Sequence, residues 1–362
     1  MNFLSDIKET GYYKTLEEMP VDSLAFIELS GRRASRTKGK NVIFAVIDTG
    51  VSPHEQFEDR LLEGYCTNRD YKTSQWQDDR GHGTHVASSI IGKDVGSSPL
   101  GKVLPIKVLD GSGGCRNVLD IIKGIEYAFD WRGPNGERVN VINMSLGGPK
   151  KAWGSYFDRL HDVIKKVTKE IPVVCAAGNT GEEDDHYPGS FPEVICVNAV
   201  DYDKKIALFS TRGKQVDVCQ VGVNVWGAAV GGGYVCLSGT SMASPITSGI
   251  AGDIIGDYYL VNKEYPCEPD AYAFLKMNSK DLGIPGTDKI YGAGFACLQP
   301  LDVDIKLIIG DPNMYVNNEI YSTDAPPILH NDRFYVPLRW ILQLLGGFVN
   351  FKNETRTAIF RL

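Results

Sequence analysis

Six apolar runs, at 42–47, 103–109, 139–144, 171–176, 194–200 and 216–221, each have the length of one strand buried on both faces. Helical patterns lie between them: His82–Ile91, then 117–129 with Val118, Ile121, Ile122, Ile125 and Tyr127 apolar, then an amphipathic 153–169. A fourth helix opens at Ser241 and runs to about Tyr259. Strands alternating with helices predict an α/β domain, a mostly parallel sheet with helices on both faces. Ligands of such domains bind past the carboxyl ends of the strands. This domain is expected over 21–300, after an N-terminal arm, 1–20, that is polar and without period. Beyond Pro300 the pattern changes to short alternating runs at 304–309, 314–321, 333–336, 348–351 and 356–360. One helix at 338–345, stopped by Gly346-Gly347, and a hairpin turn at 352–355 complete a small α+β domain over 303–362.

Four segments of small residues carry chemistry. Ser241 lies in Gly239-Thr240-Ser241-Met242-Ala243-Ser244-Pro245, where a strand end turns into a helix. Peptide N–H groups converge there and the helix dipole favours an anion, although serine is also a common helix cap. A serine hydroxyl is a poor nucleophile unless a base takes its proton. His82 is the candidate base, with Gly81 and Gly83 beside it to admit a substrate backbone. His85, three residues on, reads as a packed or surface helix histidine; a metal pair with His82 lacks a nearby Glu or Cys at ligand spacing. Asp48 ends a strand before Thr49-Gly50 and is either a turn aspartate or the carboxylate that orients the imidazole. Asn179, after Ala176-Ala177-Gly178, is either a left-handed turn residue or an amide donor to an oxyanion, with the Ser241 N–H as second donor. Acid, base, amide and serine together make a complete acyl-transfer set.

Composition narrows the setting. With 38 basic and 45 acidic residues the net charge is −7, which argues against a nucleic-acid partner and suits a soluble enzyme. The one basic cluster, Arg32 to Lys40, reads as a solvated loop or an anionic contact. No apolar run has the length of a membrane span, and Met1-Asn2-Phe3-Leu4-Ser5-Asp6 has no secretory pattern. None of the eight cysteines forms a Cys-x-x-Cys pair, so reduced thiols are expected in preference to disulfides or zinc. The expected location is the cytoplasm.

In the order Asp, His, Asn, Ser, the four segments resemble the subtilisin family of serine endopeptidases, from about Gly39 to Gly294. The likeness extends to Ile106-Lys107-Val108-Leu109-Asp110, to Asn143-Met144-Ser145-Leu146-Gly147-Gly148 and to Tyr187-Pro188. It is closest to the intracellular subtilisins. The resemblance implies a triad of Asp48, His82 and Ser241, with Asn179 completing the oxyanion hole. Losing such a donor costs about 2.7–4 kcal/mol in the barrier, a value that itself comes from a subtilisin. It further implies that Gly111, Ser112, Gly113 and Gly114 on one side and Ser145, Leu146 and Gly147 on the other clamp an extended polypeptide substrate as a middle strand. Ala177 and Gly178 would also bind substrate, and His186 would lie at the floor of the specificity pocket.

Three features depart from the family. Its calcium loop after the catalytic His helix is poorly matched by Asp94-Val95-Gly96-Ser97-Ser98, and Gln56 and Phe57 stand where an acidic ligand is usual. No cofactor is expected for the chemistry, structural calcium is doubtful, and a weak cation site near Gly189, Phe191 and Val194 is left open. His186 stands before Tyr187-Pro188 where small residues are frequent, predicting a narrowed or polar pocket; Glu182-Glu183-Asp184-Asp185 beside it reads as a solvated rim or as a preference for basic substrates. No folding pro-domain is visible, and the arm containing Tyr12, Tyr13 and Pro20 is a candidate restraint across the cleft.

Residues 303–362 resemble the small domain at the N-terminus of copper amine oxidases through Asp332 to Arg339 and Leu345 to Val349. Without clustered His or Cys they carry no copper. A docking or adhesive role with a partner stands beside a purely structural one, and a homodimer is left open. Two rivals to the protease are a binding protein on an inactive scaffold and a metallohydrolase using His82 and His85.

Overall fold

The structure, a computed structural model, describes residues 2–4, 8–266, 268–298, 305–316, 319–322, 326–330, 333–336, 348–352 and 357–361. The chain divides into two compact units, residues 1–256 with 266–298, and 257–265 with 299–362.

In chain order the first unit builds β1 (Lys8–Tyr13), α1 (Ala25–Leu29), β2 (Ile43–Asp48), β3 (Tyr65–Cys66), α2 (His82–Ile91), β4 (Lys102–Lys107), α3 (Leu119–Asp130) and β5 (Val141–Met144). There follow α4 (Lys150–Trp153), α5 (Phe157–Val167), β6 (Val173–Ala176), β7 (Ile195–Val200), β8 (Val218–Val221), β9 (Val225–Ala228) and β10 (Tyr234–Ser238). The long α6 (Thr240–Asn262), whose last turns enter the second unit, precedes α7 (Glu268–Met277), β11 (Ser279–Lys280) and β12 (Phe295–Ala296).

Nine strands form the central sheet in the order β11-β12-β8-β7-β6-β5-β2-β4-β3, parallel except where β11 meets β12. All six residues of β2 are buried, as a strand covered on both faces must be. Its alternate residues point to opposite faces. Ile43, Ala45 and Ile47 join a buried cluster with Ile121 and Ile125 of α3 and Leu160 and Ile164 of α5. Phe44 turns the other way, onto Gly252 of α6, where an added Cβ would lie 2.2 Å from its ring. Helices therefore cover both faces. Since β2 lies between β4 and β5, the strand order reverses beside it. A crevice opens at such a point, and the carboxyl end of β2 delivers Asp48 to it.

The expected helix at 153–169 is broken. Gly154, with φ 54° and ψ −135°, ends α4, a short 3-10 turn follows, and α5 starts only at Phe157. The strand expected to end before Ser241 is β10; its pairing with β9, through Gly231, Gly232 and Gly233 all at positive φ, carries no sequence expectation. The arm, expected to lack regular structure, adds β1 antiparallel to β10, from Lys8 opposite Ser238 to Tyr13 opposite Tyr234.

In the second unit β13 (Ile305–Leu307), β14 (Asn313–Val316) and β15 (Glu319–Ser322) form an antiparallel sheet. The expected single run at 314–321 is thus two strands. The pairs β16 (Ile328–His330) with β17 (Arg333–Tyr335), and β18 (Phe348–Lys352) with β19 (Thr357–Arg361), are also antiparallel. The expected helix at 338–345 and most of the turn after Lys352 lie outside the described residues.

Candidate active site

Asp48 is wholly buried, and its Oδ1 accepts the Thr49 N–H and His82 Nδ1–H, each at 2.7 Å. A carboxylate only accepts, so the proton sits on Nδ1 and the lone pair on Nε2. That Nε2 is buried with no hydrogen-bond partner. His82 opens α2 behind Gly81, whose φ of 105° suits glycine alone. Gly83 serves a purpose other than admitting substrate: a Cβ there would lie 2.1 Å from the Gly50 carbonyl and 3.2 Å from Asp48 Oδ1. Its bareness lets the helix close on the acid.

Ser241 is the second residue of α6, within the turn whose amides have no intrahelical acceptor. Its hydroxyl donates to the Ser145 carbonyl at 3.0 Å, and the Ser145 hydroxyl donates back to the Ser241 carbonyl at 2.9 Å. Asn179 is oriented from the same helix: the Thr240 N–H and hydroxyl donate to its Oδ1 at 2.9 and 3.0 Å. This sets Nδ2 on the Gly239 side, 3.5 Å from a Cβ built on Gly239.

The two expected edge segments do flank an extended chain, and it is the protein's own. The Phe3 N–H donates to the Gly113 carbonyl at 3.0 Å, and the Gly147 N–H donates to the Phe3 carbonyl at 3.2 Å. Asn2 bridges Gly114 antiparallel. Phe3 is 2% exposed, with its ring 5.1 Å from that of Trp153. Leu4 is buried beside Gly113. Ser112 turns its hydroxyl onto Asp110, and Gly111 accepts from Arg80 at 3.3 Å. Next to His82, Glu9 and Tyr12 of β1 line a cavity of about 590 Å³ with Arg80, Val230 and Leu237. Sequence reasoning missed Phe3, Leu4 and Thr240; the signal for the first two was an apolar pair inside a polar arm.

His186 brings the pocket residues together. Its ring would lie 2.6 Å from a Cβ on Gly147 and 2.8 Å from one on Gly178, so the imidazole fills the space between the two backbones. Burial pulls its pKa down to about 4, and Asp184 opposes this. Ala177 is buried, its N–H given to Val197. The side chains of Glu182, Glu183, Asp184 and Asp185 are exposed.

His85 is a packed residue. Its Nε2–H donates to the Val225 carbonyl at 3.0 Å, its ring lies under Gly227, and burial pulls its pKa down to about 4. Among the described residues no three His, Cys, Asp or Glu side chains gather as metal ligands. In the loop after α2 the carbonyls face guanidinium groups: Arg32 donates to Gly96 at 2.9 Å and Asp94 at 3.5 Å, and Arg60 to Ile91. Gln56 clamps the same loop, accepting the Asp94 N–H at 2.9 Å and donating to its carboxylate at 2.8 Å. These carbonyls serve arginines, which leaves fewer of them for the six to eight oxygens a calcium ion needs. Near the other expected cation site the Phe191 carbonyl accepts the Val194 N–H at 3.3 Å.

Residues 39–294 match the subtilase family, and residues 298–360 match the copper amine oxidase N-terminal domain. The intracellular serine protease of Paenibacillus polymyxa is 34% identical over 285 residues, 74% of this chain and 82% of that protein. The major intracellular serine protease of Bacillus subtilis is 34% identical over 248 residues, 65% of this chain and 74% of the relative. Subtilisin DY of Bacillus licheniformis is 37% identical over 236 residues, 62% and 81% of the two.

Proposed function

Because the chain belongs to the subtilase family and is a subtilisin-like serine protease, we propose that Asp48, His82 and Ser241 carry its chemistry, through an acyl-enzyme. His82 Nε2 takes the Ser241 proton as Oγ attacks the peptide carbonyl carbon. The hydroxyl leaves the Ser145 carbonyl by turning about its Cα–Cβ bond. Asn179 Nδ2 and the Ser241 N–H receive the oxyanion. The imidazolium, steadied by Asp48, then protonates the leaving amine, and water drawn onto the same base releases the acyl group. The observation that carries this reading is the 2.7 Å bond from His82 Nδ1 to a buried carboxylate, which leaves a basic Nε2 without another partner.

The reading requires no cofactor. Labelling with a peptidyl organophosphonate or a sulfonyl fluoride tests it: mass spectrometry is expected to find one adduct, on Ser241. Peptide hydrolysis stopped by chelators, with no serine adduct, would replace it by the metallohydrolase. No adduct and no hydrolysis would leave the binding protein.

The substrates are polypeptides, and Phe3 between Gly113 and Gly147 supports a cleft that takes them as a middle strand. The same contact supports the arm as a restraint on activity. His186 between Gly147 and Gly178 supports a preference for small side chains ahead of the cut bond. A cytoplasmic location is supported by relatives described as intracellular. No described helix is long and apolar enough to cross a membrane. For residues 303–362 we carry forward docking or adhesion, tested by whether their removal leaves peptide hydrolysis intact while abolishing retention on a partner.

A further inference from the structure

The end of β2 and the start of α2 are different elements, yet one carboxylate holds both. Asp78 is 5% exposed. Its Oδ1 accepts the Thr49 hydroxyl at 2.8 Å and the Arg80 and Gly81 N–H groups, each at 2.9 Å. Its Oδ2 accepts the Thr84 N–H at 2.9 Å and the Thr84 hydroxyl at 2.7 Å. Thr49 directly follows Asp48, and Gly81 directly precedes His82. The Thr49 hydroxyl in turn accepts the Gly83 N–H at 3.0 Å, gripping the far side of His82. Lys107, wholly buried, adds a second tie by donating to the Thr49 carbonyl at 2.6 Å and to Asp79 at 2.7 Å. The peptide bonds and hydrogen bonds running Asp48, Thr49, Asp78, Gly81, His82 form a ring closed by the acid–base contact itself. All five donors of Asp78 point at oxygens that only accept. An amide in its place would turn N–H groups onto N–H groups.

We infer that Asp78 is a positioning residue for peptide hydrolysis: through Thr49 it fixes the acid and the base in the register their hydrogen bond needs. The inference rests on the protease reading above. It is distinct from simple helix capping, because capping explains the bonds to Gly81 and Thr84 but leaves the one to Thr49 without a purpose.

The test compares Asp78→Asn, Thr49→Val and Thr49→Ser in the full chain. It measures melting temperature, kcat and KM on a peptide substrate, and the far-downfield proton resonance of His82 Nδ1–H. Asp78→Asn and Thr49→Val are expected to lower kcat on the order of 10- to 100-fold, the penalty of a misplaced catalytic group. KM should hold within about twofold, since the cleft is untouched. The Nδ1–H resonance should shift or broaden, and Thr49→Ser should recover both signals. If Asp78→Asn does not fold, Thr49→Val, which keeps the Asp78 bonds to Gly81 and Thr84 while losing the one from Gly83 to Thr49, carries the test, with Thr49→Ser as the variant that restores that acceptor. A folded Thr49→Val with wild-type kcat and resonance would overturn the inference, as would a Thr49→Ser as impaired as Thr49→Val. If the wild-type chain cleaves no peptide, the protease reading fails instead, and an unshifted resonance in Thr49→Val still decides against Asp78.

Discussion

The Phe3 N–H donates to the Gly113 carbonyl at 3.0 Å, the backbone pairing that an extended substrate would need on the same edge. In the cleft proposed above, the arm and the substrate would compete for one set of donors and acceptors. Burying a phenylalanine side chain is worth about 1.5–3 kcal/mol, so Phe3 against Trp153 is the main anchor. Removing residues 1–18 is expected to raise the initial rate of peptide hydrolysis. Phe3→Ala, which leaves β1 in place, should weaken the arm's hold by roughly tenfold or more and raise the rate in the same direction. Unchanged progress curves for both variants would show that the arm does not restrain the enzyme.

His186 makes a second prediction, about the residue ahead of the cut. In the pocket proposed above, the imidazole against Gly147 and Gly178 narrows the room for a side chain as large as Phe. Peptides with Gly, Ala or Ser at that position should be cleaved faster than those with Phe. Each methylene in such a pocket is worth about 1–3 kcal/mol, so His186→Gly should raise kcat/KM for Phe by at least about tenfold over the small residues. Equal rates for Phe and Ala at pH 8 in the wild-type protein would refute the plug.

What the sequence made legible follows from where its information is local. Asp48 and Asn179 were readable because an apolar strand pattern stops just before each, and the carboxyl end of a buried strand is where a site belongs. Ser241 was readable as a small-residue helix start. The broken helix at Gly154 was not, because amphipathic spacing continues across one glycine that adopts φ 54°. Phe3 was illegible for a different reason: its partners, Gly113, Gly147 and Trp153, lie more than a hundred residues away. The apolar pair Phe3-Leu4 inside a polar arm signals locally that it packs somewhere, but nothing local says where. Asp78 reads locally as a turn residue or a cap, and its bond to Thr49 exists only once β2 and α2 meet.

The loop after α2 predicts indifference to chelators. Its carbonyls at Asp94 and Gly96 accept from Arg32, which places a fixed positive charge on this loop. EDTA or added calcium should leave the melting temperature of the wild-type protein within a degree or so, whereas an ion held by the native state alone stabilises it with concentration. Arg32→Ala should lower it by several degrees, as expected for a loss of about 1–2 kcal/mol from a charged hydrogen-bond donor. A calcium-dependent rise in the wild type would place the ion in the protein after all.

Acid should destabilise the fold through its buried His85 and half-buried His186. His85 and His186 are held by burial at pKa values of about 4, below the ordinary 6.5. Above pH 6.5 both are neutral whether folded or unfolded, and they contribute no pH dependence. Between pH 6.5 and 4 the unfolded chain takes up their protons while the native one does not, so stability falls as pH falls. The slope is on the order of 1 kcal/mol per pH unit for each histidine, and it ends once the native residues also protonate. Urea midpoints measured at pH 7, 5.5 and 4.5 should therefore decline. His85→Gln, which keeps a donor for the Val225 carbonyl but does not titrate, should show a shallower decline than the wild type. Parallel declines would mean that His85 is already protonated in the native state, contrary to its packing under Gly227.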